Sequence, residues 1–210
     1  SVAELEHKLL HRFSDKGTLV RAMIHKSCSM HPIRMEMDSG DWLNFDGIGN
    51  NERCEWLGDR VFGLYVAHFL YSLEPEKSEG ELSKLAHALV SRTHANVLSI
   101  KLGLPEHLVS SPEYNLAGPE AVPTPSRFGD FLECCFAALF ADGGDAAVRK
   151  FFDGRVAPLL EETLQSASGI PRNYRGELQE MLLRNGFVNA GFGTQLRYRD
   201  MVLDTESENN

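Results

Sequence analysis

The stretch ERCEWLGDRVFGLYVAHFLY, residues 52–71, constrains the fold more than any other part of the chain. Its later part is almost wholly apolar, with Leu57, Val61, Phe62, Leu64, Tyr65, Val66, Phe69 and Leu70. A helix that is apolar all round belongs in the middle of a fold. Yet its first turns carry Glu52, Glu55 and Asp59 at i, i+3 and i+7. At about 100° per residue these fall within roughly 60° of one another, on one helical face. Acids at the edge of a buried helix are costly unless something positive neutralises them. Asn51 reads as an N-cap, and acids in a first turn suit the helix dipole. That accounts for Glu52 and leaves Glu55 and Asp59, farther in, unexplained.

The same device occurs a second time. Asp130 and Glu133, again at i and i+3, open another apolar helix that continues as CCFAALF. If the two helix starts meet, four or five negative charges share one place, which like-charge repulsion forbids unless divalent cations sit between them. Oxygen-only ligands with no histidine or cysteine suit Mg²⁺ or Mn²⁺ rather than zinc. By spacing alone each pair reads first as a solvated helix face. The apolar context of both is what favours the metal reading.

With 210 residues and 42% hydrophobic content, the chain can hold one sizeable domain plus a small appendage. The apolar run Val61–Tyr71 is interrupted by His68 and falls short of the roughly 20 residues a membrane span needs, so no membrane partner is expected. A formal charge of −9 argues against holding nucleic acid by bulk electrostatics, so any polyanion contact must be local. Part of that charge sits in a polar tail with Asp204, Glu206 and Glu208. Cys28, Cys54, Cys134 and Cys135 form no C-x-x-C pair and read as buried free thiols, which favours a reducing, intracellular compartment. The first residue is serine rather than methionine, consistent with a removed targeting segment, so the compartment is not legible further.

Apolar spacing predicts helices over 3–13 and 16–28. Residues 31–50 lose periodicity and read as a long surface loop. Within it DWLNFDG fails as a calcium loop, because aligning Gly47 puts Trp42 at the first ligand position and Arg53 at the twelfth. Ser78 to Glu81 form an S-x-x-E capping box ahead of a helix reaching about Lys101. A loop with five prolines follows over 105–126, then a helix over 129–141 closed by Asp142-Gly143-Gly144, then another over 145–165 interrupted near Pro158. Small residues at 166–171 mark a boundary, after which a helix-like stretch runs through Arg184 and Phe192, Thr194, Leu196 and Tyr198 alternate as in a strand. The expected architecture is an all-α domain over 1–165, a linker over 166–171 and a short α+β appendage over 172–210.

Asn51–Asp59, N-E-R-C-E-W-L-G-D, resembles the nine-residue signature N-E-R-L-E-F-L-G-D of ribonuclease III endonucleases, with two substitutions. LVRAMIHKS over 19–27, EGELSKLAHALV over 79–90 and GDFLECCFAALFADGG over 129–144 resemble further segments of that family, so the likeness covers about 3–164. The resemblance implies an all-α nuclease fold that cuts double-stranded RNA as a homodimer, leaving 5′-phosphate and 3′-hydroxyl ends with a short 3′ overhang. Position by position it implies that Glu55, Asp59, Asp130 and Glu133 hold catalytic Mg²⁺, for which Mn²⁺ can substitute, and that Glu52 supports them. The implied chemistry is two-metal phosphodiester hydrolysis, one ion activating water and a second, about 4 Å away, stabilising the leaving oxygen. Trp56 matches an aromatic that locks into the partner subunit, simple core burial being the other reading.

Cys54, Cys134 and the length of the 31–50 loop depart from the family pattern, and none of them touches a metal-binding carboxylate. That loop could contact RNA or a partner protein. PRNYRGELQEMLLRNG and GTQLRYRDM resemble the start of a double-stranded RNA-binding domain, cut short or degenerate within 172–210. Its arginines 172, 175, 184, 197 and 199 fit phosphate contact and solvated surface equally, which implies weak intrinsic RNA affinity or an accessory RNA-binding partner. Mitochondrial RNA-processing endonucleases of kinetoplastids are members with incomplete RNA-binding domains. A catalytically silent scaffold of the same family is the alternative function, and it disagrees with the intact carboxylate set.

Overall fold

Seven α-helices carry the fold among the residues that the computed structural model describes, namely 1–28, 34–36, 42–44, 47–111 and 127–165. The expected boundary at 166–171, the appendage over 172–210 and most of the proline-rich loop lie outside the described residues. The all-α expectation holds, with one small exception. Residues 31–50 are not loop throughout: β1 (Arg34–Glu36) pairs antiparallel with β2 (Trp42–Asn44), Met35 opposite Leu43.

Helix α1 (Val2–Lys8) is shorter than apolar spacing suggests. It closes in a left-handed cap at Leu10, φ 56°, with the His11 N–H on the Glu6 carbonyl at 3.1 Å and the Leu10 N–H on His7 at 3.3 Å. Helix α2 (Lys16–Met23) stops before the expected Cys28 because Ile24 is extended. The Ile24 carbonyl accepts the Asn51 N–H at 2.9 Å, while Val109 exchanges hydrogen bonds with His25 and Met23 at 2.8 and 2.9 Å. Those tertiary bonds replace another helical turn and fix where the next long helix begins.

That helix, α3 (Glu52–Leu73), buries Val61, Phe62, Tyr65, Val66 and Leu70. It is not enclosed all round, however. Trp56, Leu64 and Tyr71 are 69, 65 and 74% exposed and follow one another at helical spacing along a single outer face. The helix in the middle is α6 (Arg127–Phe151), where every residue from Arg127 to Leu139 is buried except Asp130 and Glu133. Phe136 of α6 stacks against Phe62 of α3, ring centres 5.0 Å apart. At Gly144, φ 61°, α6 kinks where Asp-Gly-Gly was expected to end it. Asp142 beside the kink accepts the Ser14 and Asp15 N–H groups, each at 3.0 Å.

The helix expected from Ser78 to Lys101 is two helices, α4 (Glu79–Leu89) and α5 (Arg92–Lys101). The capping box is present, with the Ser78 N–H on Glu81 Oε2 at 2.9 Å. The break comes at Ser91, whose hydroxyl donates to the Ala88 carbonyl at 2.7 Å and accepts the His94 N–H at 3.4 Å. A serine that both stops one helix and caps the next competes locally with the helical ladder. After α6 a π turn (Phe152–Val156) widens the ladder just ahead of α7 (Ala157–Gln165), where Pro158 has no N–H to offer the preceding turn. All four cysteines are free thiols, Cys28, Cys134 and Cys135 buried and Cys54 partly so.

The α3–α6 crossing is closest at Gly58. A Cβ built there would lie 1.8 Å from the Glu133 carbonyl oxygen, so only glycine lets the two backbones touch. Gly58→Ala should therefore lower stability by about 1–3 kcal/mol through overpacking, read from chemical denaturation. Gly63→Ala is the control: a Cβ there meets nothing within 4 Å, so the helix should gain up to about 1 kcal/mol.

Candidate active site

Asn51 begins α3 by position, but its side chain makes no capping bond. Asn50 does that work, its Oδ1 accepting the Glu52 N–H at 3.0 Å. Asn51 is 2% exposed, and its carbonyl accepts the Glu55 N–H at 2.8 Å and the Cys134 thiol at 3.5 Å. The first turn of α3 is thus tied to α6 one residue beyond Glu133. On the far side of α6, the Gly129 N–H donates to Asn96 Oδ1 at 2.6 Å, and a Cβ at Gly129 would crowd Asn96 and Ala95 at 3.0 to 3.1 Å. Two glycines therefore let α6 settle between α3 and α5, with Asp130 and Glu133 at the junction.

Glu52, Glu55, Asp59, Asp130 and Glu133 all open into one cavity of about 540 Å³, together with Trp56 and Val90. The structure thus brings together every candidate residue from the sequence. Lys26, Arg60 and Arg92 share the wall, and sequence reasoning did not single them out. Lys26 Nζ lies 3.7 Å from Glu52, Arg60 pairs with Asp59, and Arg92 Nε stands 4.0 Å from Asp130 Oδ1. Lys26 sits inside one family-like segment and Arg92 just after another, but a basic residue at a helix end is ordinary surface chemistry and gave no separate signal.

Burial first, and then the charge of Glu55, pushes Asp130 up to about 6, against the pull of Arg92 and Lys26. Burial, then Asp130, then Glu55 pushes Glu133 up to about 7, against Arg92 and Arg60. Asp130 and Glu133 hold their protons more tightly because they are buried and because the acids around them outweigh the nearby positive charge. Such a set is arranged to gain from a divalent cation. Among the described residues the one group of three donors with atoms within 4.8 Å of one another is Glu4, Glu106 and His107, where Lys8 Nζ already lies 3.1 Å from Glu106, so the cavity carboxylates stand more widely spaced than that.

Residues 52–144 match the model of the Ribonuclease III domain. The chain is 33% identical over 209 residues to "Ribonuclease 3" of Syntrophobacter fumaroxidans, an alignment covering 96% of this chain and 75% of that one. It is 34% identical to the protein of the same name from Bartonella quintana, over 94% of this chain and 73% of the other. Among solved structures it resembles the nuclease domain of ribonuclease III from Campylobacter jejuni, at 29% identity and TM-score 0.57, over 80% of this chain and 99% of that domain. Another structure of that domain, also at TM-score 0.57, is described as showing flexibility in the region involved in dimer formation.

A carboxylate whose value is higher folded than unfolded favours folding while protonated and opposes it once ionised. Stability linked to Glu133 is therefore present below about pH 4 and lost as pH rises through about 7. Thermal midpoints in chelator should fall for the wild type relative to Glu133→Gln across that window. The difference between the two proteins separates this slope from that of Asp142 and Asp145, whose values are lowered. A constant difference would mean that Glu133 does not titrate there.

Proposed function

Since the chain belongs to the ribonuclease III family, we propose that it hydrolyses double-stranded RNA with Glu55, Asp59, Asp130 and Glu133 as the carboxylates that hold its divalent cations. It is an endoribonuclease, a hydrolase of phosphodiester bonds. One observation carries the assignment of residues: the Gly58 crossing sets two carboxylates of α3 beside two of α6 on one cavity, where burial and then the neighbouring acids lift Glu133 to about 7. Among the described residues no histidine or cysteine lines that cavity, so the donor set fits a hard, oxygen-seeking ion such as Mg²⁺, with Mn²⁺ as a substitute. Bound there, such ions would supply positive charge to the attacking water and to the leaving 3′-oxygen of an in-line displacement, and loss of that 3′-oxygen would leave 5′-phosphate and 3′-hydroxyl ends.

The chain's own residues do the rest. Asp130 and Glu133 give up their protons when cations load, so loading releases acid to solvent. Glu55 and Asp59, on a helix tied to α6 at Asn51 and Gly58, keep their spacing to Asp130 and Glu133 through the reaction. Glu52, on the rim beside Lys26, shapes the local charge without joining the ion shell. The outer face of α3 carries Trp56, Leu64 and Tyr71, a run of exposed large side chains of the kind that protein interfaces bury. We assign it to a homodimer, in which two symmetric cavities cut one strand each and leave a short 3′ overhang.

Incubating the chain with a labelled RNA duplex should give cleavage in Mg²⁺ and none in Ca²⁺. Asp59→Asn should lose at least about 10²-fold in rate with unchanged helicity, as removal of a charge-stabilising group does. A dimer that cuts nothing in Mg²⁺ would instead make the chain a scaffold. Trp56→Ala should shift the mass measured by light scattering from dimer toward monomer, and an unshifted dimer would remove Trp56 from the interface.

A further inference from the structure

The cavity holds more positive charge than a metal site needs. Five carboxylates face Lys26, Arg60 and Arg92, a formal surplus of two negative charges. Two divalent cations would turn that into a surplus of two positive charges, directed at whatever lies in the cavity. Once ions occupy Asp59 and Asp130, Arg60 and Arg92 lose those partners and are repelled by the ions. The anions left for them are phosphates.

Arg92 is the cation best placed for that exchange. Arg60 follows Asp59 directly and lies on the outer stripe of α3, four residues from both Trp56 and Leu64, where the dimer face is assigned. Lys26 pairs with Glu52, outside the set that holds the ions. Arg92 approaches from the other wall as the first residue of α5, with its side chain 71% exposed and its Nε 4.0 Å from Asp130, a loose contact that costs little to break. A helix start favours an anion, and a guanidinium can grip a phosphate through two parallel bonds. Asp130 senses both Arg92 and Lys26, and both line the same cavity.

We propose that Arg92 is a substrate-positioning residue: it neutralises Asp130 in the metal-free cavity, leaves it when divalent ions bind, and then holds a phosphate of the strand being cut, with Lys26 beside it. The inference rests on the reading of the cavity as the RNA-cleaving site. It predicts opposite effects on the two ligands. Removing the guanidinium should tighten binding of Mn²⁺ alone and weaken binding of RNA.

The test compares wild type, Arg92→Gln and Arg92→Lys. Titration calorimetry with Mn²⁺ in the absence of RNA should give a few-fold tighter binding for Arg92→Gln. With a duplex in Ca²⁺, the slope of log affinity against log salt should shrink by about one, equally for unrelated sequences, as loss of one phosphate contact requires. Cleavage in Mg²⁺ should show KM raised about tenfold with kcat within about twofold, and Arg92→Lys should restore the salt slope. An unchanged KM and salt slope would overturn the proposal, and so would weaker Mn²⁺ binding by Arg92→Gln. A wild type that binds no Mn²⁺ and cuts no duplex would remove the parent reading instead, whereas a wild type that does both beside an indistinguishable Arg92→Gln removes this inference alone.

Discussion

The backbone contact between Gly58 and Glu133 is the constraint on which the rest depends. Helices usually pack 8–10 Å apart because side chains stand between them. At this crossing there is no side chain on the α3 side, and the space a methyl group would need is taken by the Glu133 carbonyl. Glu55 lies one helical turn before that point and Asp59 immediately after it. Asp130 lies one turn before Glu133 on the other helix. The close approach is therefore what brings two acidic helix starts onto one cavity lined by four carboxylates. Helices a few ångströms farther apart would leave two separate, solvated pairs.

Such a set needs a stiff frame, because each carboxylate would lower its energy by turning away from the others. The frame is local and layered. Asn50 caps α3, the Asn51 carbonyl takes the Cys134 thiol, and the extended Ile24 segment anchors Asn51 from behind. Asn96 holds Gly129 on the opposite side. Nearly all of this support comes from helices and their ends rather than from loops, which suits a site whose function depends on fixed distances between like charges.

Features set by near neighbours in sequence were legible: the acid stripe at i, i+3 and i+7, the capping box at Ser78, the free thiols, and an interruption at Asp-Gly-Gly, though it kinks α6 rather than ending it. Features decided by partners far along the chain were not. Nothing near Ile24 says that Val109 and Asn51 will draw it into an extended conformation, and nothing in the stretch after Ser78 says that Ser91 will divide it. Which apolar helix lies innermost was misjudged for a related reason. An exposed apolar residue is of the same type as a core one, so Leu64 among its neighbours made α3 look enclosed when α6 is the central helix. The rim cations were hidden because lysine and arginine are the default residues of any surface.

Helix α6 has a property that follows from its burial. Between Arg127 and Leu139 the only side chains not fully packed away are two carboxylates. That stretch has no idle surface. A substitution there changes either the packing of the centre or the charge in the cavity, and no position is left at which a change alters neither. Positions that can change with neither effect lie elsewhere, as at the exposed Glu79, Ser83 and His87 of α4. The working helix is also the least free to vary.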